Sequence, residues 1–237
     1  MAKLRLDKYL AEMGCGTRSE VKHAIRKGRV QINDGIEKSP DRKVDTGKDR
    51  IFFYHILISY VSMEYYMLNK PAGVVSATED GRYQTVLDLI DQKQRNDLFP
   101  VGRLDRDTEG LLLITNDGAL CHQLLSPKKH VEKVYYVEVD AAIPSETTQQ
   151  FQKGVDIGEK QRTLPARLEL LSETTAYLTI CEGKFHQVKR MFEAVGRNVT
   201  YLKRISMGSL VLDPLLKCGQ YRPLTELEVG MLKGEVL

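Results

Sequence analysis

The run Gly102-Arg103-Leu104-Asp105-Arg106-Asp107-Thr108-Glu109-Gly110 places three acids and two arginines between two glycines. Apolar segments flank it at 98–101 and 111–114, so a strand, a polar loop and a second strand is the simplest reading. Loops held by rigid strands are where catalytic groups concentrate. Asp105 sits between Arg103 and Arg106, a setting that favours the ionised acid and a nearby polyanion. Asp105, Asp107 and Glu109 would face one way in an extended chain and offer oxygen ligands to Mg²⁺. The local arginines and the lack of a second acidic cluster weigh against that, and no metal site is expected.

A second constellation spans residues 182–196, Glu182-Gly183-Lys184-Phe185-His186-Gln187-Val188-Lys189-Arg190-Met191-Phe192-Glu193-Ala194-Val195-Gly196. After Gly183 it reads as an amphipathic helix with Val188, Met191, Phe192 and Val195 as the apolar stripe. His186, Lys189, Arg190 and Glu193 share the opposite face, a cationic surface able to bind phosphates. In Lys133-Val134-Tyr135-Tyr136, adjacent tyrosines on a strand point to opposite faces, so one packs inward while the other meets solvent or a ligand.

These groups need elements to hold them. Leu6, Tyr9, Leu10 and Met13 follow helical spacing, and Thr17 with Glu20 forms a capping box for a second helix ended by Gly28. Residues 29–32 read as a strand and Asn33-Asp34-Gly35 as a hairpin turn. Arg18, Lys22, Arg26, Lys27 and Arg29 decorate this unit. Residues 1–50 hold 13 Lys/Arg against 8 Asp/Glu, whereas the remaining 187 hold 22 against 24, so the basic charge is concentrated at the N-terminus, as in a nucleic-acid-binding module. Residues 39–50 read as closing loops, and 51–61 as an apolar core strand too short to span a bilayer.

Further on, residues 65–68, 134–139, 166–171, 176–181 and 199–202 read as strands, and 86–90 as a short helix. Helices are expected after Asn116-Asp117-Gly118, carrying Leu120, Leu124 and Leu125, and from Pro144 to Gly154. Strands outnumber helices without regular alternation, which predicts an α+β protein: a small N-terminal unit, then a mixed, mostly antiparallel sheet with peripheral helices. The expected domains are 1–60 and 61–237. Four scattered cysteines without a CxxC pair suggest reduced thiols, and Met1-Ala2-Lys3-Leu4-Arg5 lacks a signal-peptide core, so a soluble cytoplasmic protein is expected. The absence of Trp argues against a large aromatic stacking surface. No apolar helix demands a partner, so a monomer is expected.

In combination these motifs resemble those of pseudouridine synthases of the branch that modifies ribosomal RNA. Gly102-Arg103-Leu104-Asp105 with Thr108, Gly110 and Asn116-Asp117-Gly118 resembles the catalytic motif. Leu68-Asn69-Lys70-Pro71-Ala72-Gly73 resembles the first motif, Lys133-x-Tyr135 the tyrosine motif, and residues 182–191 the third. The N-terminal unit resembles the S-four-type RNA-binding domain. His186-Gln187-Val188-Lys189-Arg190-Met191 and Gly219-Gln220-Tyr221-Arg222-Pro223-Leu224-Thr225 are most similar to the small-subunit (RsuA-type) enzymes. The apolar 51–61 departs from the more polar linker usual there.

The resemblance implies isomerisation of a uridine in small-subunit (16S) rRNA without any cofactor. It implies Asp105 as the essential carboxylate, attacking sugar or base or acting as a base at the ribose. Lys189 would be its cationic partner, with Arg190 as the fallback, and Tyr135 would stack on the uracil. Arg103 would fill the space left by the flipped base, with His186 and the five N-terminal cations contacting RNA. Rival readings are a large-subunit rRNA synthase, a non-catalytic ribosome-assembly protein, and a metal-dependent nuclease using Asp105, Asp107 and Glu109.

Overall fold

The pair Thr17 and Glu20 caps a helix as its spacing implies. In the computed structural model, which describes residues 3–235, the Thr17 hydroxyl accepts from the Glu20 N–H while the Glu20 carboxylate accepts from the Thr17 N–H at 2.8 Å. This helix belongs to a first unit made of the described residues up to Glu64 together with Asp91–Leu98. Its elements are β1 (Lys3–Arg5), α1 (Leu6–Glu12), α2 (Arg18–Arg26), β2 (Val30–Ile32), β3 (Gly35–Glu37), β4 (Lys43–Asp45), β5 (Ile51–Phe53) and β6 (Ile56–Ile58). Strands β3-β2-β5-β6 form an antiparallel sheet, and β1 pairs with β4. Leu6, Tyr9 and Leu10, at the helical spacing read above, are buried against Val21, Ile25, Val30, Val44 and Ile51.

Two readings of this region are corrected. Residues 39–50 are not only loops: β4 lies within them, its one apolar residue Val44 buried. A single inward residue leaves no periodic signal. Residues 51–61 are not one core strand but a hairpin that completes the sheet, turning at Tyr54 and His55, both with positive φ. Neither residue is a standard turn signal, which hid the bend. Only Ile51 of the hairpin is fully buried, whereas Ile56 and Leu57 are exposed. The segment Asp91–Leu98, inside the expected second domain, packs with this first unit. There Arg95, 3% exposed, donates to both Asp97 oxygens and to the Val61 carbonyl, and its Nη2 lies 3.2 Å from Glu12.

The second unit comprises Tyr65–Ile90 and the described residues from Phe99 onward. It runs β7 (Tyr65–Lys70), β8 (Phe99–Pro100), β9 (Glu109–Thr115), α3 (Gly118–Leu125), β10 (Lys133–Val139), α4 (Thr147–Lys153), β11 (Arg167–Leu170), β12 (Thr175–Ile180), α5 (Gln187–Glu193), β13 (Val199–Met207), β14 (Leu210–Val211), β15 (Tyr221–Pro223) and α6 (Glu226–Lys233). Nine strands form one sheet in the order β11-β12-β10-β13-β9-β7-β15, with β14 on β13 and β8 on β9. Every pairing is antiparallel except β13 with β9, so the expected α+β fold with a mixed, mostly antiparallel sheet is what forms.

Burial along β10 alternates strictly, as half-covered sheet requires, and sends Tyr135 inward. Tyr136 faces the other way, against the rings of Tyr177 and Tyr201. Residues 86–90 are a turn rather than the expected helix. Thr85 and Asp88 cap one another across it, closing the chain after one turn. No helix among the described residues is long and apolar enough to cross a membrane, and the four cysteines are unpaired.

Candidate active site

The loop between β8 and β9 is fixed from below. Lys70, at the end of β7, is fully buried, and its ammonium donates to the carbonyls of Pro71, Asp105, Arg106 and Thr108 at 2.9–3.3 Å. Burial pushes this ammonium down to about 8, with Asp107, Asp105 and Glu109 pulling the other way. The Ser76 hydroxyl donates to the Leu104 carbonyl and accepts from its N–H, and Gly73 N–H donates to the Arg106 carbonyl. The Arg106 guanidinium lies 4.4 Å from the Tyr83 ring centroid. Gly110, the second residue of β9, has φ +99, and a β-carbon there would strike the Arg204 backbone on β13, so only glycine lets the one parallel strand pair of this sheet close.

These restraints hold the Asp105 side chain toward α5. Lys189 Nζ is 3.3 Å from Asp105 Oδ2 and 2.6 Å from Asp107 Oδ1, and His186 Nε2 is 3.5 Å from Asp105 Oδ1. Burial opposes the charge on both Asp107 and Lys189, but their hydrogen bond and mutual attraction outweigh it. Asp107 is held below, and Lys189 above, the ordinary value. Glu109 turns elsewhere and accepts from the Tyr201 hydroxyl at 2.8 Å. The three acids therefore do not converge: two share an ammonium and the third is hydrogen-bonded to a phenol.

Helix α5 is shorter than the sequence suggests. It starts at Gln187, because His186 is left-handed and the Gln187 side chain accepts from the Lys184 N–H while donating to Glu182. The apolar stripe is as read: Val188, Met191 and Phe192 are buried and Val195 packs beside them. The imidazole of His186 stacks on the exposed Phe185 ring, centroids 3.8 Å apart.

Asp105, Arg103, His186 and Tyr135 line one cavity of about 700 Å³. Tyr135 is buried, whereas Arg103 is exposed at its edge. Arg190 is not brought to Asp105. Its guanidinium donates to Glu159 and to the carbonyls of Phe185 and Ile157, so the fallback assignment gives way to Lys189 as the partner of the acid. In the first unit Arg26, Lys27 and Arg29 are exposed, but Arg18 and Lys22 lie 3.6 and 3.8 Å from the buried carboxylate of Asp7, which also takes two hydrogen bonds from Arg5. Part of that basic surface is thus neutralised internally. Sequence reasoning assigned no role to Lys70, Lys133 or Arg204. Lys70 and Lys133 stand inside family-like motifs, but nothing in the local sequence indicates that their charges are buried.

Residues 64–194 match the family described as RNA pseudouridylate synthase, and residues 4–51 match the S4 domain. The chain is 48% identical to the RNA pseudouridine synthase YtzG of Bacillus subtilis, covering 97% of this chain and 98% of the relative. It is 41% identical to ribosomal small subunit pseudouridine synthase A of Escherichia coli K12, covering 96% and 99%. A crystal structure of a pseudouridylate synthase superposes with a TM-score of 0.69 at 42% identity, covering 97% and 99%. With a family model matching more than half of its length and relatives that cover nearly all of it, the chain belongs to the RNA pseudouridylate synthase family.

Proposed function

We propose that this RNA pseudouridine synthase isomerises one specific uridine of small-subunit (16S) ribosomal RNA. The observation that carries the reading is Asp105, held by Lys189 and His186 on the wall of the cavity that Tyr135 also lines. The target uridine leaves its stack and enters this cavity, at a cost of a few kcal/mol. Asp105 is the catalytic carboxylate, Lys189 aims it, and Tyr135 stacks on the uracil. Arg103 at the cavity edge fills the space the base vacates. His186 contacts the RNA beside Asp105. Arg190 is bound to Glu159 and the Ile157 carbonyl rather than to the acid.

The first unit, residues 1–60 with their linker in the sequence reading, supplies phosphate contacts through Arg26, Lys27 and Arg29, with smaller shares from Arg18 and Lys22; residues 61–237 carry the chemistry. Phosphate contacts of this kind position RNA rather than read its sequence. The names of the relatives support the small subunit as the source of substrate, and an rRNA-modifying role supports a cytoplasmic location; the enzyme is proposed to act as a monomer.

The test is tritium release from 16S rRNA transcribed with tritium at uracil C5. Release stoichiometric with RNA, absent for Asp105→Asn, is expected, and mapping the product names the uridine. Release only from large-subunit rRNA would replace the proposed substrate, and no release from either would overturn the reading.

A further inference from the structure

Lys133 and Arg204 are buried cations in the wall of the candidate site, 6% and 2% exposed. They stand on neighbouring strands. Arg204 is the cross-strand partner of Tyr135, and Lys133 precedes Tyr135 by two residues, so all three side chains share one face of the sheet and line the same cavity. Neither cation pairs with a carboxylate among the described residues. The Lys133 ammonium donates to the Val131 carbonyl and Arg204 Nε to the Leu111 carbonyl, both at 2.8 Å. Arg204 Nη2 is buried with no partner.

The acids that line the cavity are engaged elsewhere. Asp105 faces Lys189 and His186, Asp80 accepts from the Arg82 and Tyr83 N–H groups, and Glu182 accepts from Leu164 N–H and Gln187. Burial, and after it the Arg204 charge, lowers Lys133. Two buried cations side by side without a counter-charge are costly. The cost is relieved when a ligand brings the negative charge, and an unpaired buried donor marks where it sits.

We propose that Lys133 and Arg204 form an anion subsite that takes the negative charge of the uracil ring while it is detached from its ribose. This rests on the reading of the chain as a uridine isomerase. In that reaction the C1′–N1 bond breaks and its electron pair leaves on the uracil, where it spreads from N1 onto the ring carbonyl oxygens. A C1′–C5 bond then forms, the C5 proton passes to solvent, and N1 takes up a proton, so the product is an isomer of the substrate. Preorganised cations where charge develops lower the barrier without reorganising during the step.

The test compares binding of 5-nitrouracil, an anion at neutral pH, with that of neutral uracil, followed by NMR titration of the full chain. The wild type is expected to prefer the anion by about tenfold or more, Lys133→Arg to keep that preference, and Lys133→Gln to lose most of it. If Lys133→Gln does not fold, Arg204→Lys, which removes the unpartnered Nη2 donor, is expected to reduce the preference. No preference in the wild type, or an undiminished one in the variant that folds, overturns the proposal. A second arm compares uridine 5′-monophosphate with uridine. If Lys133→Gln erases the advantage of the phosphate and leaves the anion preference intact, the cations hold a phosphate and the uracil assignment falls. Tritium release by the wild type is measured alongside: its absence sinks the synthase reading, whereas the ligand preferences judge the subsite independently.

Discussion

Lys189 bridges Asp105 and Asp107, its ammonium 3.3 Å from one carboxylate and 2.6 Å from the other. The shorter contact goes to the more exposed acid, and the longer one leaves the Asp105 carboxylate more open toward the cavity.

Asp105→Asn is expected to lower tritium release by at least about a thousandfold, as loss of an essential catalytic group does, while rRNA affinity stays within a few-fold. Single-turnover release and filter binding on the same preparation check both halves. Activity near wild type in this variant would remove Asp105 from the mechanism.

Removing the ammonium and removing the second acid should have unequal effects. Lys189→Met is expected to reduce kcat about a hundredfold, equivalent to about 2.7 kcal/mol of transition-state stabilisation. Asp107→Asn should cost less than about tenfold, because its carboxylate is 71% exposed and screened by solvent. Equal losses in the two variants would contradict the bridging arrangement.

Lys70 sets an alkaline limit. Its ammonium, pushed down to about 8 by burial, holds the carbonyls of Asp105, Arg106 and Thr108. As pH rises through that value the group loses a proton and the loop a donor, so kcat/KM is expected to fall on the alkaline side with an apparent midpoint near 8. Lys189, held above its ordinary value, stays charged through this range. A flat profile to pH 10 would show that the Lys70 charge is not needed.

The exposed cations of the first unit can be tested by salt. Replacing Arg26, Lys27 and Arg29 together with Gln should weaken rRNA binding and lower the slope of log K against log salt by about one for each phosphate these side chains neutralise. Fluorescence anisotropy across a KCl series reads the slope, and thermal melts should be unchanged. Deleting residues 1–45 is a poorer test, since it strips β2 from β5 and uncovers Ile51.

Asp7 is a stability residue. Burial raises its carboxyl, but hydrogen bonds and charge from Arg5, with Arg18 nearby, outweigh that and hold it below the ordinary value. A carboxylate depressed in the native state contributes stability that is complete above its unfolded value and lost as pH falls through its native one. Asp7→Asn is expected to destabilise the first unit by about 2 kcal/mol at neutral pH, and by progressively less in acid below the usual carboxylate range. Urea unfolding at several pH values measures this; a difference that grows in acid would reverse the assignment.

Features set by neighbouring residues are legible before any fold is known. The capping boxes follow from side chains three residues apart, and Thr225 with Glu228 repeats in α6 the pattern read at Thr17. The alternation along β10, the apolar stripe of α5 and the glycine-bounded Asp105 loop follow from periodicity and turn chemistry. Tertiary structure decided which charges are buried and which cations meet the acid. Lys189 and Arg190 are adjacent on one short helix, and helical geometry alone cannot rank them. Packing sends Arg190 to Ile157 and Glu159 and leaves Lys189 over Asp105. Lys70, Lys133 and Arg204 look in sequence like surface cations, yet β7, β10 and β13 carry them inward, because strands distant along the chain become neighbours only once the sheet is assembled. Burial of charge depends on that assembly rather than on neighbouring residues, so the part of the site built from buried cations had no local signature.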